Sequence, residues 1–599
     1  MDGSLTVSLR QWQQQAGKFF FFSKNTLTRF PLPAKALLTL EAEVQQLKMG
    51  NIRFFNAFTV PLGAHYDWVT NPDTQYRYDT SRHWTEINDL DPVNGDIKYV
   101  WEKSRFTFLY PLIRYDLHTR QDQSAFVFGQ ILDWIDKNPL NRGPNFVCSQ
   151  EISLRVLNWT FALYYYRHSP ALNEAVFRQL IHSIYWQTKH VEENIHFSRI
   201  SVRNNHAITE CLGLYLVGLL YPFFPESERW KEQGRRWLEE EGLYQIYPDG
   251  SYLQFSMNYH RVVVQLFTWA FYLAEANNDY FSDALYDRVR KSLDLLYQHQ
   301  DLDTGHLPNY GANDGALFFR LNSGEYRDFR PQLNALYYYF HRKPLYDKGL
   351  WQEDLCWYGR TLPENATERS FPAQTSQSYS HGGFYVLRSR NHFAFIRCGN
   401  HPDRPMQADN LHLDLWLNGV NLLRDAGSYK YNTSPEELRF FMGTASHNTV
   451  QLGDYDQMQK GGRFIWYHWS QAKSVGLHED DCWIEFEGTA HVYRHLHPAI
   501  YHTRKVRQHT EKPHWEIEDQ LILPDVPALQ ALPVTQLWHP HPQFFERGFH
   551  IQAVDAQGNE LVQKTKEVYY SPGYGVKELA LQLRFEQTGH YFKTVIRAE

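Results

Sequence analysis

From Trp101 onward, apolar residues recur three and four positions apart. SRFTFLYPLIRYDL, SAFVFGQILDWIDK, SLRVLNWTFALYYY and FRQLIHSIYWQTKHVEENI all carry this period, and it continues through 205–222, 227–241, 260–276 and 280–299. Residues so spaced share one face of an α-helix, so the pattern predicts successive amphipathic helices. The segments between them are of moderate length and often hold Asn, Pro, Gly or Asp. Many helices in a row without intervening strands predict a helical array or toroid. No strict repeat is visible, which argues against a regular solenoid. Residues 51–100 carry turn chemistry and aromatics, and 1–100 reads as a loop-rich, partly helical extension of the toroid.

The pattern changes near residue 375. TLPENATERSFPAQTSQSYSHGG is polar, with Pro, Ser and Gly, and reads as a linker. Beyond it come short runs of period two: GFYVLRS, HFAFIRCG, LHLDLWLNG, NTVQLG, RFIWYHWS, CWIEFEG, TRKVRQHT, HWEIEDQLIL, PVTQLW, LALQLRFEQ and YFKTVIRA. Such alternation, with turn residues between runs, predicts a large antiparallel β-sandwich. The expected architecture is therefore α+β and multidomain. An α/α toroid over 101–375 is followed by a sandwich over 376–599, and the cleft between them is a natural binding site.

Composition narrows the partners. The chain of 599 residues is mildly acidic, with a formal net charge of −7 and no basic run, so nucleic acid is a poor partner. An anionic ligand requires local positive charge or neutral donors instead of a global field. Aromatics reach 16% of the chain, with 39 Tyr, 39 Phe and 18 Trp. Aromatic faces serve helix packing and also stack on sugars, so in aggregate they tilt toward a long polymer-binding surface. Five cysteines stand far apart with no CxxC, against a disulfide scaffold or a Cys-ligated zinc site. The first residues show no basic segment followed by a clean apolar stretch, and the run Lys18 to Phe22 is too short to span a bilayer. No membrane partner is expected. A cytoplasmic location is expected, or a periplasmic or secreted one where a leader has been trimmed. Oligomeric state is left open.

Two polar clusters stand at the starts of apolar helices: Arg203-Asn204-Asn205-His206 and Asn258-Tyr259-His260. Buried polar groups are costly unless paired or used. A helix cap accounts for one Asn, but two Asn and a His exceed what a cap needs. A core tyrosine bonded to backbone accounts for Tyr259, although the adjacent Asn258, His260 and Arg261 make a plain core less apt. A nearby cation is expected to lower the phenol from its ordinary value of about 10, as a base requires. The loop Gly305 to Gly315 reads as a tight turn, with His306, Tyr310 and Asn313 as candidate cleft residues. In the β-rich part, Gln407 to His412, Arg424 to Gly427 and Ser446-His447-Asn448 combine carboxylate, amide and imidazole. These groups suit one cation or a hydrogen-bonded network.

Together these marks resemble the heparinase II/III family of polysaccharide lyases, which includes related alginate lyases. The resemblance runs from Gly95-Asp96-Ile97-Lys98 and Trp101-Glu102 through Asn205-His206, Tyr259, Asn313-Asp314-Gly315 and Gln407-Ala408-Asp409. It continues through Leu423 to Gly427 and His447-Asn448-Thr449-Val450. It implies an α/α toroid followed by an antiparallel sandwich, and β-elimination at a uronic acid in an acidic polysaccharide or oligosaccharide. Asn205 and His206 would neutralise the uronate carboxylate, and Tyr259 would act as base, acid or both. Arg203, Asn204, His260, Tyr310, Asn313 and His412 are candidate substrate-binding residues. No organic cofactor is implied. Many members carry histidine where this chain has Pro405 or Gln407. His401, His412 or Tyr429 are candidate replacements for the missing base, with Tyr259 acting alone as the other reading. Gln407, Asp425 and His447 form a candidate structural cation site, for calcium more readily than zinc given the Gln oxygen. Two alternatives are a glycoside hydrolase using carboxylates among Glu210, Asp249 and Asp314, and a glycan-binding protein without catalysis.

Overall fold

The computed structural model describes residues 7–598 apart from 18, 19, 23–26, 28, 90, 92, 361–371 and 463. The first half is helical and the second half is built of antiparallel sheets. The helices alternate between two kinds. Ser149–Tyr165 is buried at every residue but the first, Asn205–Leu220 at every residue but His206, and Met257–Ala276 through Ala274. The helices between and after them, Glu174–His196, Ser227–Gln245 and Asp283–Gln298, bury one face only. A helix apolar all round must be enclosed, whereas an amphipathic one faces water. The alternation is therefore that of an inner ring wrapped by an outer ring. Neighbours approach closely where side chains vanish: a Cβ on Gly234 would stand 2.3 Å from the backbone nitrogen of Tyr215.

Before the ring, Asn51–Phe54 and Phe58–Pro61 form a hairpin instead of the loop the turn residues predict. Phe55 at its tip lies edge-on to Tyr574 of the second half, with ring centroids 4.8 Å apart. The helix Lys98–Ser104 runs across position 100 without interruption.

The second half holds three main sheets. Six strands lie in the order 471–479, 483–491, 501–509, 514–522, 591–598, 549–554. Four lie in the order 563–573, 576–587, 534–538, 450–452, and five run consecutively from 377–379 to 420–423. Every pairing in them is antiparallel. Part of the expected linker, 361–371, lies outside the described residues, and its end forms the first strand, Gln377–Tyr379. RFIWYHWS gives only the two-residue strand Trp466–Tyr467. The helical core does not stop at the boundary, because Tyr379, Phe384, Phe395, Met406, Tyr431 and Tyr574 of the sheet half belong to it. A separate core of aliphatic and aromatic side chains fills the sandwich.

Candidate active site

The two polar clusters sit at N-termini of inner helices. Asn204 is the cap of Asn205–Leu220, its side chain accepting from His206 N at 3.0 Å. That frees Asn205, the first helical residue. Its side chain is 2% exposed and its Oδ1 has no partner. His206 is the half-buried exception on a buried helix. The preceding segment Phe197–Val202 is π-helical, and Arg203 then turns left-handed at φ 45°. Such irregular turns cluster at functional sites because they re-aim the side chains beyond them. The Arg203 guanidinium lies 3.4 Å over the Tyr244 ring and 3.5 Å from Glu241. Tyr244 and Tyr247 both donate to Asp403 of the sheet half, at 2.8 and 2.6 Å.

Ser256 caps the second helix, accepting from Tyr259 N at 3.1 Å. The Tyr259 hydroxyl meets the Tyr431 hydroxyl across the domain seam at 2.8 Å. The cation expected beside Tyr259 is not Arg261. That guanidinium lies over the rings of Tyr326 and Phe329 and bonds Asn258 Oδ1 and the Tyr326 carbonyl. The phenol is accordingly not lowered. Burial pushes Tyr259 well above its ordinary value, and the Asp314 carboxylate and Tyr431 push the same way.

Lys98 supplies the cation of this region. Its Nζ stands 2.8 Å from Asp314 Oδ2 and 4.4 Å over the Tyr431 ring. Asp314 acts electrostatically on both Tyr259 and His206, which links the two clusters. Burial holds His206 down at about 4, with Glu151 and Asp314 opposing that shift and Lys98 and Arg105 adding to it. His206 is thus a neutral imidazole near neutral pH, able to donate one hydrogen bond but carrying no charge. Its Nδ1 lies 3.8 Å from Cys148 Sγ.

Several of the other expected residues have hydrogen-bond partners within the protein. Tyr310 donates to Asp409 across the seam, and Asn313 Oδ1 accepts from Gly315 N and Tyr326 OH at 2.9 and 2.7 Å within the helical half. His260 is 2% exposed with Nε2 unpaired, and burial holds it at about 3. His412 is fully buried, its Nε2 2.8 Å from Asp414 Oδ1 and its Nδ1 accepting from Asn448 N at 3.0 Å. The three carboxylates weighed for hydrolysis have separate partners. Glu210 accepts from Ser198 at 2.6 Å, Asp249 from Ser251 at 2.5 Å, and Asp314 pairs with Lys98. Sequence reasoning missed Tyr431 and the charge of Lys98.

Ligand atoms of His412, Asp425 and His447 all lie within 4.8 Å of one another, and all three residues are buried. His447 Nδ1 is 3.0 Å from Asp425 Oδ2, leaving Nε2 buried without a partner. Gln407 Oε1 and Asp409 Oδ1 are also buried and unpaired. With both ring nitrogens of His412 engaged, the donors left in this cluster are the His447 imidazole nitrogen and the Asp425 carboxylate. That set fits a divalent cation.

A helical double ring closed by antiparallel sheets, with amide, imidazole and phenol groups at inner-helix N-termini, defines a toroid–sandwich protein. Crystal structures share that fold. Heparinase III superposes with a TM-score of 0.71 at 15% identity, covering 98% of this chain and 89% of the other. The heparan sulfate lyase of Pedobacter heparinus gives 0.59 at 17% identity, covering 98% and 87%. Residues 45–313 match the family description Heparinase II/III N-terminus, and residues 372–596 match Heparinase II/III-like, C-terminal. The chain belongs to the heparinase II/III family. The heparin-sulfate lyase of Bacteroides stercoris is 23% identical over 426 residues, 65% of this chain and 56% of the relative. That of Pedobacter heparinus is 24% identical over 351 residues, 55% and 48%. The chain thus spans about half the length of these curated relatives.

Proposed function

We propose that this protein is a polysaccharide lyase that cleaves a uronate-containing glycosaminoglycan by β-elimination. The carrying observation is the Asn205 side chain, buried at an inner-helix N-terminus with neither of its ends committed to another group among the described residues: Nδ2 can donate to a carboxylate, and the unpaired Oδ1 can accept from a hydroxyl. Leaving such a group unused costs about 1–3 kcal/mol, which a bound ligand recovers. The proton on the carbon beside a carboxylate is weakly acidic while that carboxylate keeps its charge. An amide and a neutral imidazole aimed at it stabilise the enolate-like state as an oxyanion hole does. The positive end of the helix dipole adds to this. Tyr259 takes the C5 proton, and the C5 electrons form the double bond as the C4 leaving oxygen departs. Water is not consumed.

We also infer that Gln407, Asp425 and His447 hold a divalent cation. Its role is structural, pinning the sheet segments that carry them, and no proton step runs through it.

The test is a panel of acidic polysaccharides followed by ultraviolet absorbance of the conjugated product. Heparan sulfate, other glycosaminoglycans and alginate are its members. Tyr259→Phe is expected to abolish the signal on the cleaved polymer while the melting temperature holds. New reducing ends without ultraviolet absorbance would identify a hydrolase instead. Activity surviving in Tyr259→Phe would remove Tyr259 from its role.

A further inference from the structure

We propose that Cys148 is a positioning residue for His206: its thiol donates to Nδ1, which keeps the ring proton on Nε2 and makes that nitrogen the donor to the substrate carboxylate. This role rests on the reading that His206 faces the uronate.

The contact is set by the register of two inner helices. Cys148 is the N-cap residue of Ser149–Tyr165, and His206 is the second residue of Asn205–Leu220. One turn further in, Gln150 Nε2 donates to Thr209 Oγ1 at 3.3 Å. Beyond that, a Cβ on Gly213 would stand 3.2 Å from the Ser153 side chain. The pairs 148 with 206, 150 with 209 and 153 with 213 climb both helices together, so the helices run in the same direction and their N-termini lie level. Cys148 Sγ thereby stands 3.8 Å from His206 Nδ1, a reach that the large sulfur atom allows.

Chemistry decides which partner donates. A neutral imidazole carries one N–H and one bare nitrogen, and the group at one nitrogen fixes the state of the other. His206 is neutral near pH 7, because burial holds it at about 4. Burial raises the Cys148 thiol, and the Glu151 and Glu210 carboxylates push the same way, against the backbone N–H groups of Glu151 and Gln150. The sulfur therefore keeps its proton. Sulfur accepts hydrogen bonds weakly, whereas a bare imidazole nitrogen accepts them well, so the bond runs from S–H to Nδ1. Nε2 is left without a partner among the described residues, on a ring that is half-buried.

The nearby carboxylates are engaged elsewhere. Glu151, which acts electrostatically on the ring, accepts from Arg105 Nε and Nη2 at 2.8 and 2.7 Å. Asp314 is paired with Lys98. A carboxylate at Nδ1 would draw the ring proton to that nitrogen and turn the bare Nε2 lone pair toward an anionic substrate. A thiol does the reverse, and being neutral it adds no negative charge beside the uronate. With no partner at Nδ1 the proton would be shared between the two nitrogens, and part of the protein would present a lone pair to the carboxylate. The thiol thus supplies what an oxyanion-type site needs, a donor fixed before the substrate arrives.

The experiment follows the His206 ring nitrogens by NMR in the full chain labelled with nitrogen-15 histidine, the His206 signals being those absent from H206A. The same proteins are assayed for kcat and KM on the polymer that the wild type cleaves, with melting temperature as the folding control. The wild type is expected to show a bare Nδ1 and a protonated Nε2 at neutral pH. In C148A the two nitrogens are expected to share the proton, and kcat to fall about tenfold with KM nearly unchanged, the lower end of what losing a group that orients a working imidazole costs. C148S keeps a donor at the same place and is a good helix cap, so it is expected to hold the wild-type ring state and to recover most of the lost kcat. A wild-type ring protonated on Nδ1 would overturn the proposal outright. An unchanged ring state in C148A, or equal loss of kcat in C148A and C148S, would also overturn it. Wild-type kcat in H206A would instead overturn the reading of His206 beneath it. If C148A does not fold, C148V fills the space without a donor and takes its place. If neither folds, the ring state of the wild type decides alone.

Discussion

Lys98 Nζ stands 2.8 Å from Asp314 Oδ2, and this ion pair sets the charge beside Tyr259 and Tyr431. Asp314 raises both phenols, so its carboxylate opposes the phenolate that the proposed elimination calls for. Below its pKa a group loses its ionised fraction tenfold per pH unit, so kcat is expected to rise with pH on the alkaline side. Asp314→Asn removes the opposing charge. Its kcat profile should move to lower pH, with a gain at neutral pH. Lys98→Met should move it to higher pH. Profiles that stay in place in both variants would separate the ion pair from proton transfer.

Asn205 presents a neutral amide, and that neutrality is testable. Asn205→Ala is expected to lower kcat/KM by about 10²–10³, the usual effect of removing one donor from a developing oxyanion. Asn205→Asp should be worse, because it sets a carboxylate against the substrate's own. Steady-state rates by ultraviolet absorbance, with melting temperatures as the folding control, check the order. Equal rates in both variants would mean that Asn205 does not face the uronate.

Much of this architecture is legible in the sequence, and the failures share a cause. The helix Asn205–Leu220, buried at all but His206, advertises itself because a polar cluster opens an apolar run. The strands Gln471–Glu479, Phe549–Val554 and Gln563–Gly573 went unread, and all three are sheet edges. The first and third bury few side chains, so period-two alternation has nothing to mark. Asn205, His206 and Tyr259 stand out as polar groups in apolar surroundings, but Tyr431 lies in a turn-like stretch and is brought to Tyr259 only by domain packing. Tyr310 donates to Asp409 across the seam, a pairing that no local pattern in its Gly-rich loop announces.

Cation binding is testable without assaying turnover. A cation held by Gln407, Asp425 and His447 stabilises the folded sandwich by about 2.7 kcal/mol at a free concentration of 100 times Kd. A chelator should therefore lower the melting temperature of the wild type, and added calcium should restore it. His447→Ala should melt lower at the outset and respond to neither. A wild-type protein whose metal content is nil and whose melting ignores both reagents would leave these residues as a hydrogen-bonded network.

The last prediction concerns acid stability of the sandwich. Arg504 and Asp519 are opposed across two neighbouring strands, and the carboxylate accepts from Arg504 Nε and Nη2 at 2.7 and 2.8 Å. Its Oδ1 also meets His502 Nε2 at 2.7 Å, and Gln536 of the four-stranded sheet donates to Oδ2 at 2.8 Å. Burial alone would raise this acid, but the guanidinium and the other donors hold it well below the ordinary carboxylate range. The folded-state pKa lies below the unfolded one, so the stabilisation is fully present above about pH 4 and is lost as pH falls below it. Asp519→Asn should leave Arg504 buried without its counter-charge, at a cost of about 3–5 kcal/mol. The variant should also lose this part of the acid dependence. Arg504 donates to the Leu411 and Asn448 carbonyls at 2.7 and 2.6 Å, next in sequence to His412 and His447, so the damage should reach the proposed cation site. Unfolding of wild type and variant followed from pH 7 down to pH 3 reads both effects. Parallel curves would show that the Arg504–Asp519 pair adds nothing to acid stability.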